Sequence, residues 1–175
     1  MKIAVYGKAF PIEARPFIEG LYKRLKEENM ALTIYSRLDS FLRENCSWEA
    51  EYPTFENHEE FISFSPDFLI TIGGDGTILD AVTVVRNSGI PILGINTGRL
   101  GFLANVAKEE INIAINSLIS GNFKINVRNT IMVQTSIDEQ PDPVFALNEV
   151  AVSRKGTTAM ITIHAYINGE YLNSY

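Results

Sequence analysis

FLITIGGDGTIL, running from Phe68 to Leu79, is the stretch on which the fold turns. The apolar run from Phe68 to Ile72 reads as a buried strand. Gly73, Gly74, Asp75, Gly76 and Thr77 follow as a glycine-rich turn, and Thr77 to Asn87 has helical spacing, closed by Gly89. Glycines at such a turn open backbone conformations closed to other residues and let another molecule approach the main chain. The helix behind it offers unpaired N–H groups and the positive end of its dipole, which makes the turn a natural phosphate seat. Asp75 is the odd member, because a carboxylate repels phosphate unless it takes a proton, holds a hydroxyl or helps bind a metal. The turn has neither the lysine of a Walker A loop nor the GxGxxG spacing of a dinucleotide fingerprint. Phosphoryl transfer of another kind fits it: backbone N–H groups of Gly74, Gly76 and Thr77 hold phosphate, Thr77 adds a hydroxyl, and Asp75 accepts the proton of an attacking alcohol. The alternative is a tight turn in which Asp75 only caps the helix.

Outward from this turn, strands and helices alternate. Lys2 to Tyr6, Ala31 to Tyr35 and Pro91 to Ile95 read as further short apolar strands. Ala14 to Glu28, with Phe17, Ile18, Leu21, Tyr22 and Leu25 at helical spacing, reads as an amphipathic helix. Leu38 to Asn45 reads as a short helix, and Glu109 to Ser120 as another, with Ile111, Ile115, Leu118 and Ile119 as its stripe and Gly121 at its end. Ser47 to Glu60 has no clear period and reads as loop with one helical turn at most, anchored by Trp48. The alternation predicts a parallel, Rossmann-like sheet covered on both faces, with ligands at the carboxyl ends of its strands. A second loop, Asn96 to Phe102, leaves the strand after the glycine turn, and the two loops share one crevice if those strands are neighbours. Arg99 can give that crevice a permanent cation, and Phe102 a flat apolar face for a base or nicotinamide ring.

After Gly121 the pattern changes. Phe123 to Thr135, Val144 to Ser153 and Ala159 to Ile167 alternate like antiparallel strands, Asp138 to Pro143 reads as a turn, and Asn168-Gly169 as a hairpin. Two domains are expected: an α/β domain over residues 1–121 and an incomplete β-rich domain over 122–175. The return strand has barely begun at Tyr175, so the chain is expected to be the N-terminal piece of a longer protein. Asn148 and Glu149 form a polar pair inside a predicted apolar strand; they suit ribose hydroxyls or a purine edge, or else a salt bridge across the sheet. Ser153 to Thr157 reads as an exposed connection, with Arg154 and Lys155 as weaker phosphate contacts.

The composition narrows the classes. With 46% apolar residues, a net charge of −6 and a pI near 5.0, the chain reads as a globular protein without a nucleic-acid footprint. No stretch has the length or flanks of a signal peptide or membrane span, which points to a cytoplasmic protein. The single cysteine, Cys46, with His58 and His164, cannot build a zinc site and reads as an ordinary thiol.

Three motifs in order, GGDGTIL from Gly73, LGINTGRLGFL from Leu93 and LNEV from Leu147, resemble the NAD kinase family. Diacylglycerol and sphingosine kinases and phosphofructokinases have similar GGDGT loops, but the GTGN-like element of the diacylglycerol type does not occur here. The resemblance implies an α/β domain followed by a β-rich domain with NAD between them, and phosphoryl transfer from ATP, or polyphosphate in some members, to the 2′-hydroxyl of NAD. It implies that Asp75 is the proton acceptor, and that Asp75, Gly76, Phe102, Asn148 and Glu149 contact the dinucleotide. Gly73, Gly74, Gly76, Thr77 and Arg99 would then surround phosphate. Mg²⁺ would accompany ATP, and dimers or tetramers would form through the β domain. The family continues with an Asp-Gly pair and a TPTGST-like run not found here, so the 175-residue polypeptide is expected to show little or no kinase activity alone. Robust NADP formation by it would contradict that. The other readings are a lipid kinase with the same loop and a nucleotide-binding module in which Asp75 is only a cap.

Overall fold

The computed structural model describes residues 1–46, 48–136, 144–153 and 160–175. Six strands form one parallel sheet: β1 (Lys2–Tyr6), β2 (Ala31–Tyr35), β3 (Thr54–Phe55), β4 (Phe68–Ile72), β5 (Ile92–Asn96) and β6 (Val106–Ala107), in the order β3-β2-β1-β4-β5-β6. This is the doubly wound order in which the chain reverses its direction of travel between β1 and β4. The loops leaving those two strands therefore diverge and open a crevice between them.

Alternation along the strands divides the core. Ile3, Val5, Ile34, Ile70 and Ile72 point to a face covered by α1 (Arg15–Glu27), α2 (Ser36–Cys46) and α5 (Ile111–Ser120). Ala4, Tyr6 and Leu69 point to the other, covered by α3 (His58–Phe64) and α4 (Asp75–Val85). Both faces are thus dry, which is why these strands read as continuous apolar runs. Trp48 packs on Tyr22 at 4.6 Å between ring centroids and anchors its loop. Cys46 is buried, and desolvation pushes its thiol up from the ordinary value.

The region read as loop between Ser47 and Glu60 instead contains β3 and the start of α3. Asn57 caps α3 by accepting the Glu60 N–H at 2.9 Å, and the Glu60 carboxylate reaches back to accept the Glu56 N–H at 2.8 Å. Phe61 carries this helix into the core, fully buried and 5.5 Å from the Phe55 ring. Phe61→Ala is expected to lower stability by about 3–5 kcal/mol, read as a lower urea midpoint. Asn57→Ala, which removes only the cap, is expected to cost about 1 kcal/mol.

Other boundaries shift. The glycine turn's helix starts at Asp75 and ends at Val85, with Arg86 at φ 51° stopping it before Gly89. The helix after β2 starts at Ser36, and Ile119 of α5 is 43% exposed instead of joining the stripe.

Beyond α5 the strands among the described residues are shorter than predicted. They are β7 (Ile131–Val133) antiparallel to β8 (Val144–Ala146), and β9 (His164–Ile167) antiparallel to β10 (Glu170–Ser174). Residues flanking them stay exposed, Val127 at 84% and Met160 at 97%, because alternation makes a long strand only where a partner and a second layer are at hand. Asn168 and Gly169, at φ 52° and 86°, make the expected hairpin turn between β9 and β10. The turn predicted from Asp138 to Pro143 and the stretch from Arg154 to Thr157 lie outside the described residues. Among the described residues no helix is long and apolar enough to cross a membrane.

Candidate functional site

The glycine turn sits at the carboxyl end of β4, beside the switch point. Gly73 takes φ +149°, and a side chain there would overlap the Thr77 hydroxyl, so the turn closes only around glycine. Gly74 is the N-cap of α4, and the Thr77 N–H donates to its carbonyl at 3.0 Å. That N–H is therefore spent inside the turn, whereas a phosphate-holding role was expected for it. Gly74 and Gly76 face open space.

Asp75 does not cap its own helix. Its side chain crosses to the loop after β5, where Phe102 donates its N–H to Oδ2 at 2.8 Å and Leu103 and Ala104 donate theirs to Oδ1 at 3.0 and 2.8 Å. Because β4 and β5 are neighbours, with Ile72 opposite Ile95, the two glycine-rich loops do share one crevice. The Gly73 N–H, bonded to Ile95 O at 3.0 Å, ties them a second time. Gly101 completes the clasp: a side chain there would overlap the Asp75 carboxylate. The hydrogen bonds from Ala104, Phe102 and Leu103 favour the ionised form and hold the Asp75 carboxyl below the usual aspartate range, against a smaller opposing effect of burial.

The rest of the β5 loop is fixed by Asn96, whose Nδ2 donates to Arg99 O at 2.7 Å while its Oδ1 accepts the Gly98 N–H at 2.8 Å. The Arg99 side chain is exposed, and the Phe102 ring is 96% exposed. Phe102 and Leu103 border a groove of about 620 Å³ that continues past Ile78 and Val82 of α4 to Leu118, Phe123 and Leu147. Its lining is mainly apolar, suited to a flat ring more than to phosphate.

Asn148 and Glu149 were expected inside a strand. β8 ends at Ala146, so both residues lie past it and are exposed. β8 packs beside α4 and Leu147 borders the groove, which brings this segment to the rim of the groove that Phe102 also borders. Sequence reasoning missed Gly101 and Ala104, because a clasp built on backbone N–H groups leaves no side-chain signature. Among the described residues no three His, Cys, Asp or Glu side chains converge as a metal cage.

A doubly wound sheet with a glycine-rich turn beside its switch point and a carboxylate shared with the adjoining loop defines an open α/β protein of the class whose ligand crevice lies at the carboxyl ends of the strands. Within that class the comparisons are specific. Residues 15–123 match the model of the ATP-NAD kinase N-terminal domain, and the chain belongs to the NAD kinase family. It is similar to the NAD kinase of Flavobacterium psychrophilum, 45% identical over 100% of this chain and 60% of that protein. It is also similar to that of Cytophaga hutchinsonii, 38% identical over 100% of this chain and 60% of that protein. The chain thus spans about 60% of the length of these curated relatives. Among solved structures, yeast NADH kinase complexed with NADH superposes with a TM-score of 0.71 at 16% identity, covering 99% of this chain and 54% of that one. An NAD kinase from Archaeoglobus fulgidus in complex with ATP gives 0.65 at 23% identity, covering 99% and 57%. These two establish likeness of fold.

Proposed function

We propose that this chain supplies the phosphate-binding part of an NAD kinase, which moves the terminal phosphoryl group of ATP, or of polyphosphate, to the 2′-hydroxyl of the NAD adenosine ribose. The observation that carries this reading is the Asp75 clasp. Three backbone N–H groups fill three of the roughly four acceptor positions of the carboxylate, leaving one on Oδ2. That position can hold the attacking hydroxyl while the open backbone at Gly74 and Gly76 receives the phosphoryl group.

The ribose oxygen bonds to the terminal phosphorus as the bridging P–O bond to ADP, or to the shortened polyphosphate, breaks. The hydroxyl proton leaves through Asp75 to solvent. A carboxylate of lowered pKa is a weak base but a good acceptor, and transfer through a loose transition state asks more for orientation than for early proton removal. Gly73 and Thr77 shape the turn, and Arg99 adds charge toward the phosphates. Phe102 lies against NAD, Asn148 and Glu149 meet the nucleotide from the rim, and residues 122–175 form part of a β-rich region that walls the dinucleotide site. Among the described residues no three acidic, His or Cys side chains offer a resident Mg²⁺ cage, and three acceptor positions of the Asp75 carboxylate are taken. Any Mg²⁺ is proposed to arrive on the donor phosphates, its common mode of binding. A cytoplasmic location and a homo-oligomeric full-length protein belong to the same proposal.

The test is direct. Full-length protein given NAD and ATP, or NAD and polyphosphate, is expected to form a dinucleotide carrying a 2′-phosphate, identified by phosphorus NMR. Phosphorylation of diacylglycerol with no turnover of NAD would overturn the reading.

A further inference from the structure

Transfer in line requires the attacking and leaving oxygens on opposite sides of the phosphorus. On the β5 flank of the glycine turn stand Asp75, Phe102 and the apolar groove, the side proposed for the acceptor. The leaving group must therefore extend over the opposite flank, formed by the loop after β1. The register ends at Tyr6 opposite Thr71, and Gly7 follows beside Ile72 with Lys8 next in the loop. A Cβ on Gly7 would stand 3.0 Å from Ile72 O, so the two loops approach closely there. Lys8 reaches across this flank to α4, where its Nζ donates to Asp80 Oδ2 at 2.8 Å.

We propose that Lys8 binds the polyphosphate tail of the phosphoryl donor, on the flank of the glycine turn opposite the acceptor; this rests on the NAD kinase reading above. The ammonium has three N–H donors, and Asp80 uses one in the described pair. The pair is about half exposed on both sides, 47% and 50%, and a surface pair of this kind holds its partners only weakly. Asp80 thus holds the lysine extended to the second turn of α4, the helix that the glycine turn opens, without tying up its charge. Its own negative charge opposes the phosphate, so the lysine is the residue on which the contact depends. The tail is common to a nucleoside triphosphate and to inorganic polyphosphate, and a cation on this flank serves either.

Steady-state kinetics of full-length Lys8→Ala, with ATP and then polyphosphate varied at saturating NAD, read the contact. Loss of a charge-assisted hydrogen bond to phosphate is expected to raise the donor KM about tenfold or more. The rise should appear with both donors, leave the KM for NAD unchanged, and be largely reversed in Lys8→Arg. An unchanged donor KM, or an equal rise in the KM for NAD, would overturn the proposal. A rise with ATP but not with polyphosphate would overturn the assignment to the tail. Should the wild type form no NADP with either donor, the underlying reading fails separately. Calorimetric binding of inorganic tripolyphosphate to wild type and Lys8→Ala then still decides whether Lys8 holds a polyphosphate, equal affinities counting against it.

Discussion

Asp75→Asn in the full-length protein is expected to lower kcat by about 10²- to 10⁴-fold, the usual range for loss of a positioned proton acceptor. The amide keeps one acceptor oxygen, which can serve Leu103 and Ala104, but its NH₂ then faces the Phe102 N–H that the carboxylate accepts at 2.8 Å. Two donors opposed leave the Phe102 end of the clasp unsatisfied. NAD binding should therefore weaken as well, though less than turnover. The pH dependence follows from the sign of the shift. A depressed folded-state pKa means that the clasp contributes stability above the ordinary aspartate value of about 3.9, and that this contribution is lost as pH falls through the lowered folded value. The wild-type kcat/KM for NAD is accordingly expected to show no acid limb from Asp75 between about pH 5 and 8.

Gly101→Ala separates the carboxylate from its geometry. The new methyl group would overlap Asp75, so the loop or the carboxylate must move while every functional group remains present. Displacement near 1 Å at a reacting group costs about 10²-fold, and a fall of that order in kcat/KM is expected. Circular dichroism should stay near wild type, because the site lies at the carboxyl ends of β4 and β5 and outside the core, while the urea midpoint should fall only by the part of the clasp that is lost. Wild-type turnover in this variant would mean that the clasp has no part in catalysis.

The glycine turn, the first four strands of the reading and their parallel pairing were legible because both sheet faces are covered, which writes the strands as uninterrupted apolar runs. The start of α3 was legible in principle: Asn57 followed by Glu60 is a capping pattern, but the acidic residues and Pro53 around it concealed the period. β6 is only two residues long, too short to register as a pattern. Asn148 and Glu149 were misread as strand interior because alternation cannot say where a partner strand ends. The clasp itself was out of reach, since Asp75 binds main-chain donors at Phe102, Leu103 and Ala104, and any residue carries such donors. A carboxylate in a phosphate seat was the only signal, and it identified the residue without its partners.

The most direct measurement is a crystal structure of the full-length protein with NAD bound. The account predicts the ribose 2′-hydroxyl within hydrogen-bond reach of Asp75 Oδ2, about 2.6–3.2 Å, with the bonds from Phe102, Leu103 and Ala104 still in place. A 2′-hydroxyl held away from the Asp75 carboxylate, with the clasp intact, would contradict it.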